Sequence, residues 1–211
     1  MSVGETVTRK GKGNFRQELY EGWTAFTSNK LLWMMTIFVI FLNCTTAVIS
    51  TTIIFYAKDE LKLSSSLLAV VLSASGVGGL AGSLLINRLR ARIGLGMIFG
   101  MSALLNALSY IALYFCANLM TLTAILFIIG IAISFNDICV YTFRHEQTPG
   151  HLIGRIGGIT GTLFRLGMPV TMYLSGWMVV WWGTASIFIS SAVWNGCVFA
   201  VYVRTRLWRV P

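Results

Sequence analysis

The side chains in this chain with chemistry beyond packing are few, and they sit where polar groups are costly. Asp137 is the one acidic residue inside a long apolar run, and Arg165 is the one basic residue so placed. A charge at membrane depth is normally paired or turned toward an aqueous cavity, because burying it alone in hydrocarbon costs a few kcal/mol. Two readings fit: a gating contact, in which Asp137 meets Arg165 or the nearby Arg144 and Arg155 in one state and releases them in another, or a static pair that fixes helix register. Asn43, Thr46 and Ser50 recur at i, i+3 and i+7 and share one helix face. Threonine and serine can bond the preceding turn, whereas an asparagine does so less easily and must face protein or water. With Asn136 they are the candidates for lining a substrate cavity, and simple interhelical packing accounts for them equally well.

Other constellations fail on spacing. His145-Glu146 and His151 stand six apart with Pro149 and Gly150 between, whereas a zinc helix needs histidines at i and i+4. No serine elbow occurs and no second carboxylate neighbours Asp137, so an enzyme is not expected. The run from Gly76 to Ala81 touches a dinucleotide-loop pattern but lies inside an apolar stretch that phosphate could not reach. Cys44, Cys116, Cys139 and Cys197 are scattered singly, without a zinc or disulfide framework, and read as small apolar groups. No metal and no cofactor is expected.

The elements that must position these residues are membrane spans. Of 211 residues, 56% are hydrophobic and 11% charged, against roughly 25% charged in an ordinary soluble domain, and mean hydropathy is +0.76. Only an integral membrane protein, all-α and surrounded by a lipid bilayer, fits that composition. A net charge of +9 would suggest nucleic acid only if the basic residues formed a solvated patch. Here they fall between apolar runs, so they report topology and no nucleic-acid partner is expected.

Residues 1–14 form a polar, basic arm, and the absence of an apolar run before Leu31 argues against a cleaved signal peptide. Phe15, Leu19, Trp23 and Phe26 then recur at near-helical spacing, which predicts an amphipathic helix at the membrane surface or packed on another domain, so that 1–30 is an arm plus linker helix. Spans are expected over 31–56, 64–86, 95–115, 119–141, 156–177 and 181–203. The last two are separated within 176–183, where Trp177, Trp181 and Trp182 form an interfacial belt, and Pro169 is expected to kink the fifth. Residues 204–211 make a basic tail. Gly78, Gly79 and Gly82 in the second span, with Gly157 and Gly161 in the fifth, mark close helix packing. Of the sixteen Lys and Arg, thirteen fall on one side of this topology and only Lys58 and Lys62 on the other, which places both termini in the cytoplasm of a cell whose bacterial plasma membrane the chain crosses six times.

The first and fourth spans carry the polar side chains, the second and fifth the glycines, and the third and sixth are plain. Because three is odd, the second trio enters from the opposite side, the pattern of an inverted 3+3 repeat.

Residues 82–94, with Arg88, Arg90, Arg92 and Gly94, resemble a degenerate second copy of the signature loop of the major facilitator superfamily. Glu146-Gln147-Thr148-Pro149 followed by Gly154-Arg155-Ile156-Gly157 is similar to the junction between the tenth and eleventh spans of its drug, macrolide and siderophore exporters. Residues 15–23 resemble the linker before their seventh span. Asn87 stands where the fuller signature carries an aspartate. The resemblance implies the C-terminal six-helix half of a secondary-active exporter of a small amphipathic solute, coupled to protons, whose partner is an N-terminal six-span half or a second copy of itself. It implies too that the first and fourth spans line the central cavity, while the glycine faces of the second and fifth meet the other half. The alternative is a truncated or partner-dependent six-span protein with no transport activity of its own.

Overall fold

A computed structural model describes residues 15–210, and every element there is helical. The expected arm, residues 1–14, lies outside the described residues. Helix α1 spans Phe15–Ser28, α2 Lys30–Phe55, α3 Ser65–Ile93, α4 Leu95–Tyr114, α5 Leu119–Gln147, α6 Ile153–Leu163 and α7 Met168–Val203. A π-helical turn, Tyr56–Glu60, extends α2, and 3₁₀ turns occupy Gly150–Leu152 and Arg206–Arg209.

Local chemistry sets the ends. Asn29 caps α2, its side-chain oxygen accepting from the amides of Leu31 and Leu32 at 3.2 Å, while its amide nitrogen donates to the carbonyl of Gln147, 3.2 Å away at the end of α5. One residue thus satisfies orphan groups at two helix ends. Ser64 and Asn118 cap α3 and α5 by accepting from Leu67 and Thr121. Arg90 and Arg92 fill the last turn of α3, where cations complement the helix dipole. Gly94 then turns the chain at φ 77°, a conformation that a Cβ disfavours.

Five helical stretches are long and apolar enough to cross a membrane: Lys30–Glu60, Ser65–Ile93, Leu95–Tyr114, Leu119–Gln147 and Gly150–Val203. The last has 54 residues, about 80 Å of helix, far more than a hydrocarbon core of roughly 30 Å needs. It breaks at Gly183, φ 75°. Leu174 and Met178 before the break line one cleft with Ile187 and Trp194 after it, so the two arms fold back as a hairpin and the chain makes six helical legs. The fifth leg therefore runs to Trp182, beyond the expected 177. Trp177, Trp181 and Trp182 are exposed along its final turns.

Apolar side chains from lipid-like surroundings gain little by meeting one another, so close approach and hydrogen bonds hold such helices together. Helices α3 and α5 cross backbone to backbone: a Cβ at Gly78 would stand 2.0 Å from the carbonyl oxygen of Phe127, and one at Gly130 2.0 Å from that of Ser75. Elsewhere large side chains fill two buried clusters. One, near the arginine-bearing end, holds Phe38, Phe99, Phe143 and Tyr202; the other holds Ile49, Tyr110, Leu122 and Phe188. The segment after Arg204, expected as a tail, folds back on α4. Leu207 is buried, the amide of Gly96 donates to the carbonyl of Val210 at 3.1 Å, and Trp208 covers Gly100.

Candidate functional site

The fifth leg is discontinuous, and that interruption makes the site. Pro169 has no N–H to return to Arg165, so the helix stops at Leu163, and a tight turn over 164–167 separates α6 from α7. There the Arg165 carbonyl accepts from Met168 at 3.1 Å, which leaves the Phe164 carbonyl without its usual partner. The side-chain amide of Asn43 supplies one at 3.2 Å. Gly167 admits α2 to the same turn, since a Cβ there would lie 2.4 Å from the sulfur of Cys44.

Between this turn, α2 and α5 lies a cavity of about 810 Å³. Asn43 and Thr46 line it from α2; Asn136, Asp137 and Tyr141 line it from α5; Gly157, Gly161 and Arg165 line it from the broken leg. Residues separated by more than a hundred positions, proposed on separate grounds, thus share one space. Ser50 does not join them: it is exposed, and its hydroxyl donates to the carbonyl of Thr46 at 2.8 Å, the local bond that serine makes readily.

Neither charge on the cavity wall has an ion-pair partner among the described residues. Among the described residues Asp137 accepts only from the neighbouring Asn136 amide, at 3.2 Å, and forms no ion pair with Arg165, Arg144 or Arg155. The Arg165 side chain, also exposed on the wall, meets no acceptor among the described residues. Asn136 is 8% exposed, yet its side-chain oxygen has no hydrogen-bond partner. The other two candidate gating arginines are engaged elsewhere. Arg144 donates to the Thr160 hydroxyl at 3.2 Å and lies over the Tyr141 ring, 4.8 Å from its centre. Arg155 holds Glu21 at 2.6 Å and Glu18 at 3.3 Å, tying α1 onto α6. Arg90 pairs with Glu146, linking the last turns of α3 and α5, while Arg88 and Arg92 are exposed. Gly94 is the turn residue described above.

The glycines divide by role. Gly78 and Gly82 face α5 of the same chain, Gly82 with Ser134 and Ile131 at 3.0–3.1 Å from a Cβ position, and Gly79 lies 3.8 Å from the Gly130 carbonyl. The expectation that this row awaits another half is corrected: α5 already occupies it. Gly157 and Gly161 pack against no helix of this chain among the described residues. Nothing approaches a Cβ at Gly161, and only the Arg144 guanidinium comes within 4 Å at Gly157, because both lie on the cavity wall where bare backbone widens the space.

The family model described as Major Facilitator Superfamily matches residues 36–210. The chain belongs to the major facilitator superfamily. It is therefore a multi-pass membrane protein of a transporter superfamily, with the cavity enclosed by its α2, α5 and interrupted fifth leg. Among curated proteins, none matches the chain. Sequence reasoning missed Gly130, Tyr141 and the Phe164 carbonyl in this superfamily member. Gly130 stands alone in α5 with no glycine at i±4 to signal a row, and a freed carbonyl leaves no mark in side-chain pattern; the Pro169 signal was present, but its beneficiary on α2 was not.

Proposed function

We propose that this chain is the C-terminal six-helix half, an inverted 3+3 repeat, of a secondary-active exporter that moves a small amphipathic solute outward against a proton gradient. One observation carries the reading: a single cavity beside a broken membrane helix is lined by a carboxylate and a guanidinium that form no ion pair among the described residues. Secondary transporters place solute and coupling-ion sites at such discontinuous helices, where irregular backbone lines a cavity rather than lipid.

Coupling follows from the chemistry of Asp137. A carboxylate that binds a solute's cationic group when ionised loses that attraction when protonated, so proton and solute compete for one place. The arginine-bearing end, with α1, the Arg90–Glu146 pair and the Arg155 cluster, then lies in the cytoplasm of a bacterial cell. A counterpart of six spans, or a second copy, closes the cavity on its open side.

The test is expression of the chain with and without a candidate N-terminal six-span partner, followed by accumulation of a fluorescent lipophilic dye in the host cells. Lower accumulation with both halves, abolished by a protonophore and by Asp137→Asn, is expected. Unchanged accumulation in every arm would leave the chain as a six-span protein without transport of its own.

A further inference from the structure

The cavity carries two opposite charges that form no ion pair among the described residues. Asn43, by bonding the Phe164 carbonyl, pins the turn that carries Arg165; Asn136, by donating to the Asp137 carboxylate at 3.2 Å, orients that carboxylate on α5. Asp137 and Arg165 both line the cavity and both are exposed to it, so each is open to a solute group. The Asp137 carboxylate suits an ammonium that donates N–H, and the Arg165 guanidinium in the same lining suits a carboxylate or other anionic group.

From this arrangement we infer that the solute is a zwitterion, its ammonium held by Asp137 and its anionic group by Arg165. This rests on the reading of the cavity as the solute site and narrows its class. A cation alone would leave Arg165 unmatched, and an anion alone would leave Asp137 unmatched. A zwitterion matches both and adds no net charge to a space of low dielectric, where an unpaired charge is costly.

Three fluorescent probes that differ only in charge test it: Nα-dansyl-lysine, a zwitterion; dansylcadaverine, the same molecule without its carboxylate; and Nα-dansyl-norleucine, which lacks the ammonium. Binding is measured by equilibrium dialysis against phospholipid nanodiscs with and without the full chain. The zwitterion is expected to bind about tenfold tighter than either single-charge probe, the worth of one charge-assisted hydrogen bond. Arg165→Gln should reduce its affinity to that of the cation, Asp137→Asn to that of the anion, and Arg165→Lys should keep part of the preference. Equal binding of the three probes by the wild-type chain, no binding of any, or a preference that survives Arg165→Gln overturns the inference. If a variant fails to assemble, the wild-type comparison decides alone. Preference without export in cells would sink the exporter and leave this assignment standing; export without preference would do the reverse.

Discussion

The side-chain amide of Asn43, in the middle of α2, donates at 3.2 Å to the main-chain carbonyl of Phe164, the group that the break before Pro169 strands. A polar side chain on one helix thereby stabilises an irregular backbone on another, at a depth where no solvent would do so freely.

Asn43→Ala should lower stability by about 0.5–2 kcal/mol, the range for losing one hydrogen bond between membrane helices or stranding its buried acceptor. Pro169→Ala in that background should recover part of the loss, because residue 169 could then donate to Arg165 and release the Met168 amide for Phe164. Thermal unfolding in detergent reads both. If the double variant is less stable than Asn43→Ala, the proline is not what frees the carbonyl.

Gly78→Ala and Gly130→Ala should each destabilise by about 1–3 kcal/mol, the cost of overpacking, because each new methyl group meets a main-chain carbonyl that cannot rotate away. Gly161→Ala is the control: nothing lies within 4 Å of that position, so its melting temperature should be unchanged or slightly raised. Equal melting temperatures for all three would mean that α3 and α5 do not cross this closely.

Gly183→Ala adds a methyl group to open space, so its cost is purely conformational. At φ 75° and ψ 173° only glycine is comfortable, and about 1–3 kcal/mol should be lost. The same substitution at Gly176, which is helical and equally open, should be neutral or slightly stabilising. A reversed order would put the hairpin at Gly176.

Arg155→Gln removes both ion pairs that hold α1. They are partly exposed, with the Arg155 side chain at 31%, so global stability should fall by less than about 1 kcal/mol. Local opening should change much more, and hydrogen exchange across Phe15–Ser28 is expected to accelerate while α5 keeps its protection. Exchange in α1 indistinguishable from wild type would show that apolar contacts, not Arg155, dock this helix.

Membrane character and the approximate limits of the helices were legible because each depends on nearby residues. A bilayer demands long apolar runs, and Asn29, Ser64, Asn118 and Gly94 cap or turn the chain through contacts a few positions away. Asp137, Arg165, Asn43 and Asn136 stood out for the same reason: a polar group in an apolar run is conspicuous without any knowledge of its partners. Ser50 shared their helix face but not their cavity, because face spacing says which way a residue points and not what lies opposite.

What the sequence by itself determined was the set of helices and the costly side chains they carry, since hydropathy and capping act along the chain. Only the tertiary structure decided which of those side chains meet. It set Gly78 against Phe127 but left Gly161 open, gave Arg155 to Glu18 and Glu21, and put Asp137 and Arg165 around one cavity without pairing them. Glycine permits close approach without naming a partner, and a charge attracts any opposite charge within reach. Those choices were made by the register at which distant helices cross, which depends on the fit of whole surfaces and has no signature at any single position.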